Sequence, residues 1–307
     1  MTQDPTSTKA GFNQWTVPWE TPQGEEIDAI NAGTYSAPDF DISEQQIADY
    51  QHDGVVHLAQ AFSDWVEPLR AGFARNLTDP RNYRFPADST WQDEPGRFFD
   101  SYCNWTLIPE YWDFIFHSGA AALAGKAMRA HQAQFFHEHA FVKEPGTQRA
   151  TPWHQDIPYY CVSGDQSVSV YIALDDVDQD LSVQYVKGSH CWGKTYYPTV
   201  WLDNQDFNVG DAGYDGPVPD IAQNPQDYDI VSWPLQAGDA ILFNFKTLHG
   251  TSDGIMCNNR RAFSTRWMGD DIRYLDRPGE TSPPYIDMNL NTGDRMREDW
   301  FPVIWKE

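Results

Sequence analysis

Apolar and polar positions change their period several times along the chain, and each change marks an element. Phe135 to Lys143 alternates, which predicts a strand with His137, His139, Phe141 and Lys143 on one face. Ser167 to Leu174 predicts another, with Tyr171 on the alternating face. Leu181 to Val186 reads as its partner across a turn of Asp175, Asp176, Asp178 and Asp180, a solvated acidic loop. The turn Ala237-Gly238-Asp239 announces a strand from Ala240 to Phe245, and Arg260 to Trp267 forms one more.

Helical periodicity occupies the first half of the chain. Ser43 with Gln46 is a capping box that opens a helix from Glu44 to His52, which Gly54 ends before a short strand, Val55 to Leu58. Trp65, Val66, Leu69, Phe73 and Leu77 trace one face of a second helix after Ser63, and Glu110 to His131 reads as a third. Asp79 to Trp105 reads as an aromatic-rich loop. Residues 1–40 show neither period and predict an extended arm, pinned to the body by Trp15 and Trp19. Residues 41–307 then form a single domain, with no linker or repeat dividing them. Within it, 191–233 is a long irregular insertion carrying Trp192, Tyr196, Tyr197, Trp201, Phe207 and Tyr214. Loops of that length are lids or binding loops, so substrate choice is expected there.

Several short strands with turn signals between them predict a mainly β fold with flanking helices. Composition adds the material for a core and an aromatic cleft: 40% of residues are hydrophobic and 13 are tryptophan. The formal net charge of −24 excludes nucleic acid as a partner, because phosphate neutralisation needs clustered Lys and Arg. It leaves two readings, an acidic solubilising surface or attraction of a cationic, amine-bearing small molecule. Cys103, Cys161, Cys191 and Cys257 are scattered, so neither a zinc knuckle nor a disulfide framework is expected. The first residues show no secretory pattern and no apolar run reaches membrane-spanning length, which predicts a soluble, cytoplasmic protein.

Candidate chemistry concentrates in Thr151-Pro152-Trp153-His154-Gln155-Asp156. In an extended segment His154 and Asp156 point to the same side and can grip one metal ion together. His249, at the end of the 240–245 strand, supplies a third ligand. Two histidines and one carboxylate form the facial triad of non-haem Fe(II), which leaves positions open. Arg260 opens the next strand, and its guanidinium matches the far carboxylate of a dicarboxylic cosubstrate on that metal. Thr251, two residues after His249, is a hydroxyl partner for the same carboxylate. Arg261 should point away from Arg260 by alternation, while Arg266 shares its face and meets a substrate or an internal acid. Trp153, Tyr159 and Tyr160 are candidates for a substrate wall or for plain packing beside it. A rival site, His137 and His139 followed by Glu144, resembles part of a cupin motif but lacks the glycine ahead of it and the second cupin motif.

The ordered set His154-Gln155-Asp156, Gly188-Ser189-His190, His249 and Arg260-Arg261 resembles the phytanoyl-CoA dioxygenase family of Fe(II)- and 2-oxoglutarate-dependent oxygenases. Asp53-Gly54 and Phe141-Val142-Lys143-Glu144-Pro145-Gly146 extend the resemblance over roughly residues 42–275. It implies a double-stranded β-helix, a cupin-like jelly roll. It also implies Fe(II), 2-oxoglutarate and O2 as the reacting set, with succinate and CO2 released as an unactivated C–H bond is hydroxylated. Tyr171 falls at an aromatic cosubstrate contact of the family, with Gln155 and His139 as further cosubstrate candidates, and no catalytic residue beyond the metal ligands is implied. His190 is expected to be structural. The alternatives are an epimerisation, desaturation or ring formation on the same cofactors, or an inactive ligand-binding jelly roll.

Overall fold

The computed structural model describes residues 17–89, 96–147, 150–200, 205–206, 213–252, 254–279 and 281–307. The chain begins with helices α1 (Glu25–Asn31) and α2 (Glu44–Asp53), strand β1 (Val55–Leu58) and helix α3 (Val66–Thr78). Strands β2 (Ala87–Ser89) and β3 (Phe98–Tyr102) precede helices α4 (Pro109–His117) and α5 (Ala120–Met128). Then come β4 (Gln132–Lys143), β5 (Val162–Ser163), β6 (Ser167–Ala173), β7 (Gln184–Val186), β8 (Thr199–Val200), β9 (Gln205–Asp206) and β10 (Ile230–Val231). Strands β11 (Ala240–Phe243), β12 (His249–Gly250), β13 (Arg260–Met268), β14 (Arg273–Tyr274) and β15 (Val303–Lys306) close the chain.

The major sheet has eight strands, ordered β1-β11-β6-β13-β4-β3-β2 with β15 also paired to β4. A smaller sheet, β10-β7-β12, is antiparallel as well. Residues paired across antiparallel strands share a face, so the register sorts the major sheet into two surfaces. Phe263 and Trp267 of β13, Val168, Val170 and Ile172 of β6 and Leu242 of β11 face outward and pack with Leu69, Phe73, Tyr111, Phe114 and Leu123 of the helices. Arg260, Ala262, Ser264 and Arg266 of β13 face inward. Beside them lie His137, His139, Phe141 and Lys143 of β4, Ser169 and Tyr171 of β6, and Asp100 and Tyr102 of β3. The inner layer of Val55, Tyr171, Ile241, Phe243 and Ala262 meets Tyr185 of the smaller sheet and Val183 just before it, which makes a double-stranded β-helix.

The capping box is present: Ser43 Oγ accepts from Gln46 N, Gln46 Oε1 accepts from Ser43 N, and Gly54 closes α2 at φ 73°. Other expectations need correction. Residues 181–186 do not pair with 167–174; β6 lies between β11 and β13, and β7 belongs to the smaller sheet. The acidic turn is no hairpin. Asp175 is drawn to Arg70 and Arg261, and Val177 pairs with Leu235, so the chain crosses to the opposite layer. The helix expected over 110–131 breaks at Gly119, whose φ of 80° is left-handed and ends one helix before the next begins. The arm contains α1, whose first turn carries Glu25, Glu26 and Asp28 where the helix dipole favours anions. The aromatic loop contains β2 and β3, the latter an added strand beside β4.

Trp19 does pin the arm: its ring lies 5.5 Å from Trp300 and 5.4 Å from Tyr285. Trp15 lies outside the described residues. The four cysteines are free, and among the described residues no helix is long and apolar enough to cross a membrane.

Glu138, on the outer face of β4, is fully buried and accepts from Asn104 N. Burial pushes its carboxyl up to about 7, against the pull of backbone donors at Asn104 and Trp105 and of the Arg84 charge. The native state therefore holds this proton more tightly than the unfolded chain does. Its stabilising effect is complete below pH 4.5 and is lost as pH rises through 7, a loss of up to about 3 kcal/mol. Glu138→Gln keeps the shape and removes the titration. Urea unfolding of the variant should show a flatter stability profile across that window than wild type.

Candidate metal centre

The segment before β5 is laced to the strand that carries the second histidine. His154 N–H donates to His249 O and His249 N–H to His154 O, both at 2.9 Å, while Asp156 N and Ile157 N share Phe245 O at 2.9 Å. The chain is bridged to His249 at His154 and turns at Asp156, whose φ of −77° and ψ of −37° open a 3-10 turn, and both side chains meet His249. Asp156 Oδ1 lies 3.6 Å from His154 Nε2 and 3.7 Å from His249 Nε2, and the candidate ligand atoms all fall within 4.8 Å of one another. All three residues are buried.

The hydrogen bonds around the triad fix which atoms face its centre. Nδ1 of His154 lies 2.8 Å from Pro152 O and Nδ1 of His249 lies 2.9 Å from Thr247 O. A carbonyl only accepts, so each Nδ1 carries the proton and each Nε2 presents its lone pair inward, the arrangement a metal-ligating imidazole needs. Burial and the neighbouring His154 push the His249 imidazole down to about 3, so it is neutral. Burial works against ionisation of Asp156, but its neighbours His154, His249 and Arg266 together hold its carboxyl well below the usual range. Two neutral imidazoles and one carboxylate are the protonation states that a divalent metal takes. Iron fits.

The carboxylate is supported from beneath. Asp156 Oδ2 accepts from Ser169 Oγ at 3.3 Å and lies 3.7 Å from Arg266 Nη2. Arg266 in turn donates to the Tyr160 hydroxyl and to Ser264 O, each at 3.0 Å. Arg266 thus meets the internal acid, and Arg261 points outward to bind Asp175 through two nitrogens.

Arg260 opens β13 at the far end of the same inner face, 3% exposed, with Nη1 donating to Leu181 O at 3.1 Å. Among the described residues its buried Nε has no partner, nor do the Tyr171 hydroxyl and Ser264 Oγ, which the register places beside each other on neighbouring strands. Buried polar atoms are ordinarily paired. Unpaired donors around a buried guanidinium fit a small acid that bridges from Arg260 to the triad, as 2-oxoglutarate would.

Other predicted site residues are placed differently from one another. His139 is on the inner face opposite Ser264, 3.7 Å from Asp100. Thr251 Oγ1 accepts from Thr151 N at 2.6 Å and so ties the segment before His154 to the one after His249. Gln155 points the other way: its amide donates to Lys194 O and Lys246 O and accepts from Tyr196 N, anchoring the root of the insertion instead of facing the cosubstrate. Trp153 packs toward Val186, Ile221 and Leu248 under the insertion. Tyr159 sits edge-on to the His154 ring at 6.0 Å. Tyr160 lies below the triad as Arg266's partner, 5% exposed, and not at a wall. His137 is buried opposite Arg266 and joins no ligand cluster among the described residues. His190 lies away from the triad, its Nε2 3.2 Å from Gln51 O.

Ser169 joins the site through Asp156, and Asp100 lies on the same inner face of the sheet, neither having been expected there. The alternation that marks Tyr171 could have marked Ser169, two residues away on the same face. Asp100 carries no such signal, because residues 79–105 show no clear period.

Residues 50–255 match the family model described as phytanoyl-CoA dioxygenase. No curated protein matches the chain. Among solved structures, the non-haem alpha-ketoglutarate-dependent carbocyclase SnoK from nogalamycin biosynthesis aligns at TM-score 0.64 and 21% identity, over 86% of this chain and 96% of that one. The epimerase SnoN from the same biosynthesis aligns at 0.61 and 20%, over 85% and 98%. EctD from S. alaskensis with 2-oxoglutarate and 5-hydroxyectoine aligns at 0.60 and 17%, over 90% and 91%. At these identities the likeness is one of fold.

Proposed function

The chain belongs to the phytanoyl-CoA dioxygenase family of Fe(II)- and 2-oxoglutarate-dependent oxygenases, and from that premise we propose that it hydroxylates an unactivated C–H bond of a small, cationic molecule. The observation that carries the reading is the buried triad of His154, Asp156 and His249, with both imidazoles held in the ligating tautomer. Iron and 2-oxoglutarate supply the activation of O2, one oxygen atom entering the substrate and the other the succinate released with CO2. The chain's own groups bind and orient. Arg260 with Tyr171 and Thr251 holds the cosubstrate's distal carboxylate, Arg266 and Ser169 hold Asp156 in place, and the packed inner face excludes water.

Hydroxylation asks nothing further of the protein than ligands, a clamp and exclusion of water, the roles this reading gives to the triad, Arg260 and the buried inner face. Asp156 also fills the position that a halide would need. For the substrate's charge the support is Asp100, the carboxylate that the inner face of the major sheet carries besides the triad among the described residues. Its carboxylate, 15% exposed and 3.7 Å from His139 Nε2, would receive the substrate's ammonium group.

Incubating the iron-loaded enzyme aerobically with 2-oxoglutarate and a panel of small amines tests this. The expected result is amine-dependent succinate and a product heavier by one oxygen atom, with Asp100→Asn losing most of the amine dependence. A product of unchanged mass, or lighter by two hydrogens, replaces hydroxylation by epimerisation, or by desaturation or ring formation. Succinate released equally with neutral or anionic substrates overturns the cationic assignment.

A further inference from the structure

Tyr185 pairs in register with His249 in the smaller sheet, and its ring stacks on that imidazole with centroids 5.8 Å apart at 19°. The side chain is fully buried, among Phe243, Trp233 and Tyr171. Stacking and packing need only an aromatic ring. The hydroxyl has no hydrogen-bond partner among the described residues, and a buried orphan hydroxyl costs stability that phenylalanine would avoid at almost the same volume.

A phenol hydroxyl is a donor, and Tyr185 shares one buried cluster with Tyr171 and Ala262; Leu181, packed against that cluster, gives its carbonyl to Arg260 Nη1. Tyr171 comes from β6 and Arg260 from β13, both in the major sheet, while Tyr185 comes from β7 in the layer across from them. Three side chains that each carry a buried atom without a partner among the described residues, Tyr185 and Tyr171 at their hydroxyls and Arg260 at Nε, thus gather around that cluster from two sheets. A carboxylate accepts at two oxygens with about four lone-pair sites, enough for all three.

Resting on the reading of Arg260 as the cosubstrate clamp, we infer that the Tyr185 hydroxyl donates to the distal carboxylate of 2-oxoglutarate, closing the cradle from the smaller sheet. Iron ligand and cosubstrate would then share one support, since the ring that stacks on His249 also carries the donor.

The test uses Tyr185→Phe in the full-length protein. Anaerobic titration of the Fe(II)-loaded variant with 2-oxoglutarate should show affinity reduced on the order of 10-fold to 100-fold, the range for a hydrogen bond to a charged group. Affinity for pyruvate, a 2-oxo acid without a distal carboxylate, should be unchanged, and the metal-free variant should melt no lower than wild type. Unchanged 2-oxoglutarate affinity overturns the inference, as does equal weakening of pyruvate. If Tyr185→Phe fails to fold, Tyr185→Met carries the same comparison of the two acids. Failure of wild type itself to bind 2-oxoglutarate would instead sink the cosubstrate reading on which this one rests.

Discussion

Asp156→Ala is expected to abolish substrate-dependent consumption of 2-oxoglutarate. Replacing a residue that only orients a ligand typically costs about 10–100-fold in metal affinity or activity, and Asp156 is itself a predicted ligand, so the loss should exceed that range. The side chain also faces Arg266, a buried guanidinium 3.7 Å away. Removing one partner of a buried pair costs about 3–5 kcal/mol because the other charge is left uncompensated. The alanine variant should therefore lose iron binding and thermal stability together. Asp156→Asn separates the two effects: it keeps the volume and the Ser169 hydrogen bond while weakening the ligand. Iron content by metal analysis and a melting curve of each variant check this. An alanine variant that folds, binds iron and turns over normally would contradict the site.

Arg260→Ala should act on the cosubstrate and leave iron alone. The guanidinium is 3% exposed; Nη1 donates to Leu181 O, while Nε has no partner among the described residues. Removing the cation from a buried pair with a carboxylate costs about 3–5 kcal/mol, which corresponds to roughly 150-fold to 5000-fold in affinity. The KM for 2-oxoglutarate should rise by that order while iron content stays at the wild-type level. Arg260→Lys should recover only part of the affinity, since an ammonium keeps the charge without the planar fork. A KM within a few-fold of wild type in Arg260→Ala would place the clamp elsewhere.

Features set by local rules are legible in the sequence. The capping box at Ser43 and Gln46, the stop at Gly54 and the strands carrying Tyr171 and Arg260 depend on neighbours a few residues away, and the structure has them where alternation and capping place them. His154, Asp156 and His249 are legible as a candidate cluster because two of them stand two residues apart and the third follows a recognisable strand. What cannot be read depends on partners distant in sequence. Whether Leu181 to Val186 pairs with β6 or crosses to the other sheet is decided by Arg70, Arg261 and Leu235, each more than fifty residues away from the part of the turn it holds. The direction of Tyr185 is hidden for the same reason. Gln155 illustrates this limit at closer range: alternation turns it away from the triad, and only the insertion's backbone shows what it holds. Tyr160 lies close to the motif in sequence, yet it is claimed by Arg266 on a strand over a hundred residues later.

Everything proposed for the site depends on the triad holding Fe(II) in a geometry that 2-oxoglutarate completes. An anaerobic titration of metal-free protein with Fe(II) and then 2-oxoglutarate, recorded in the visible range, decides this. Wild type should develop the charge-transfer band of a chelated 2-oxo acid, saturating at one cosubstrate per chain, and Asp156→Ala should show none. A folded, iron-loaded wild type that develops no band as 2-oxoglutarate is added would mean that the triad does not form this centre.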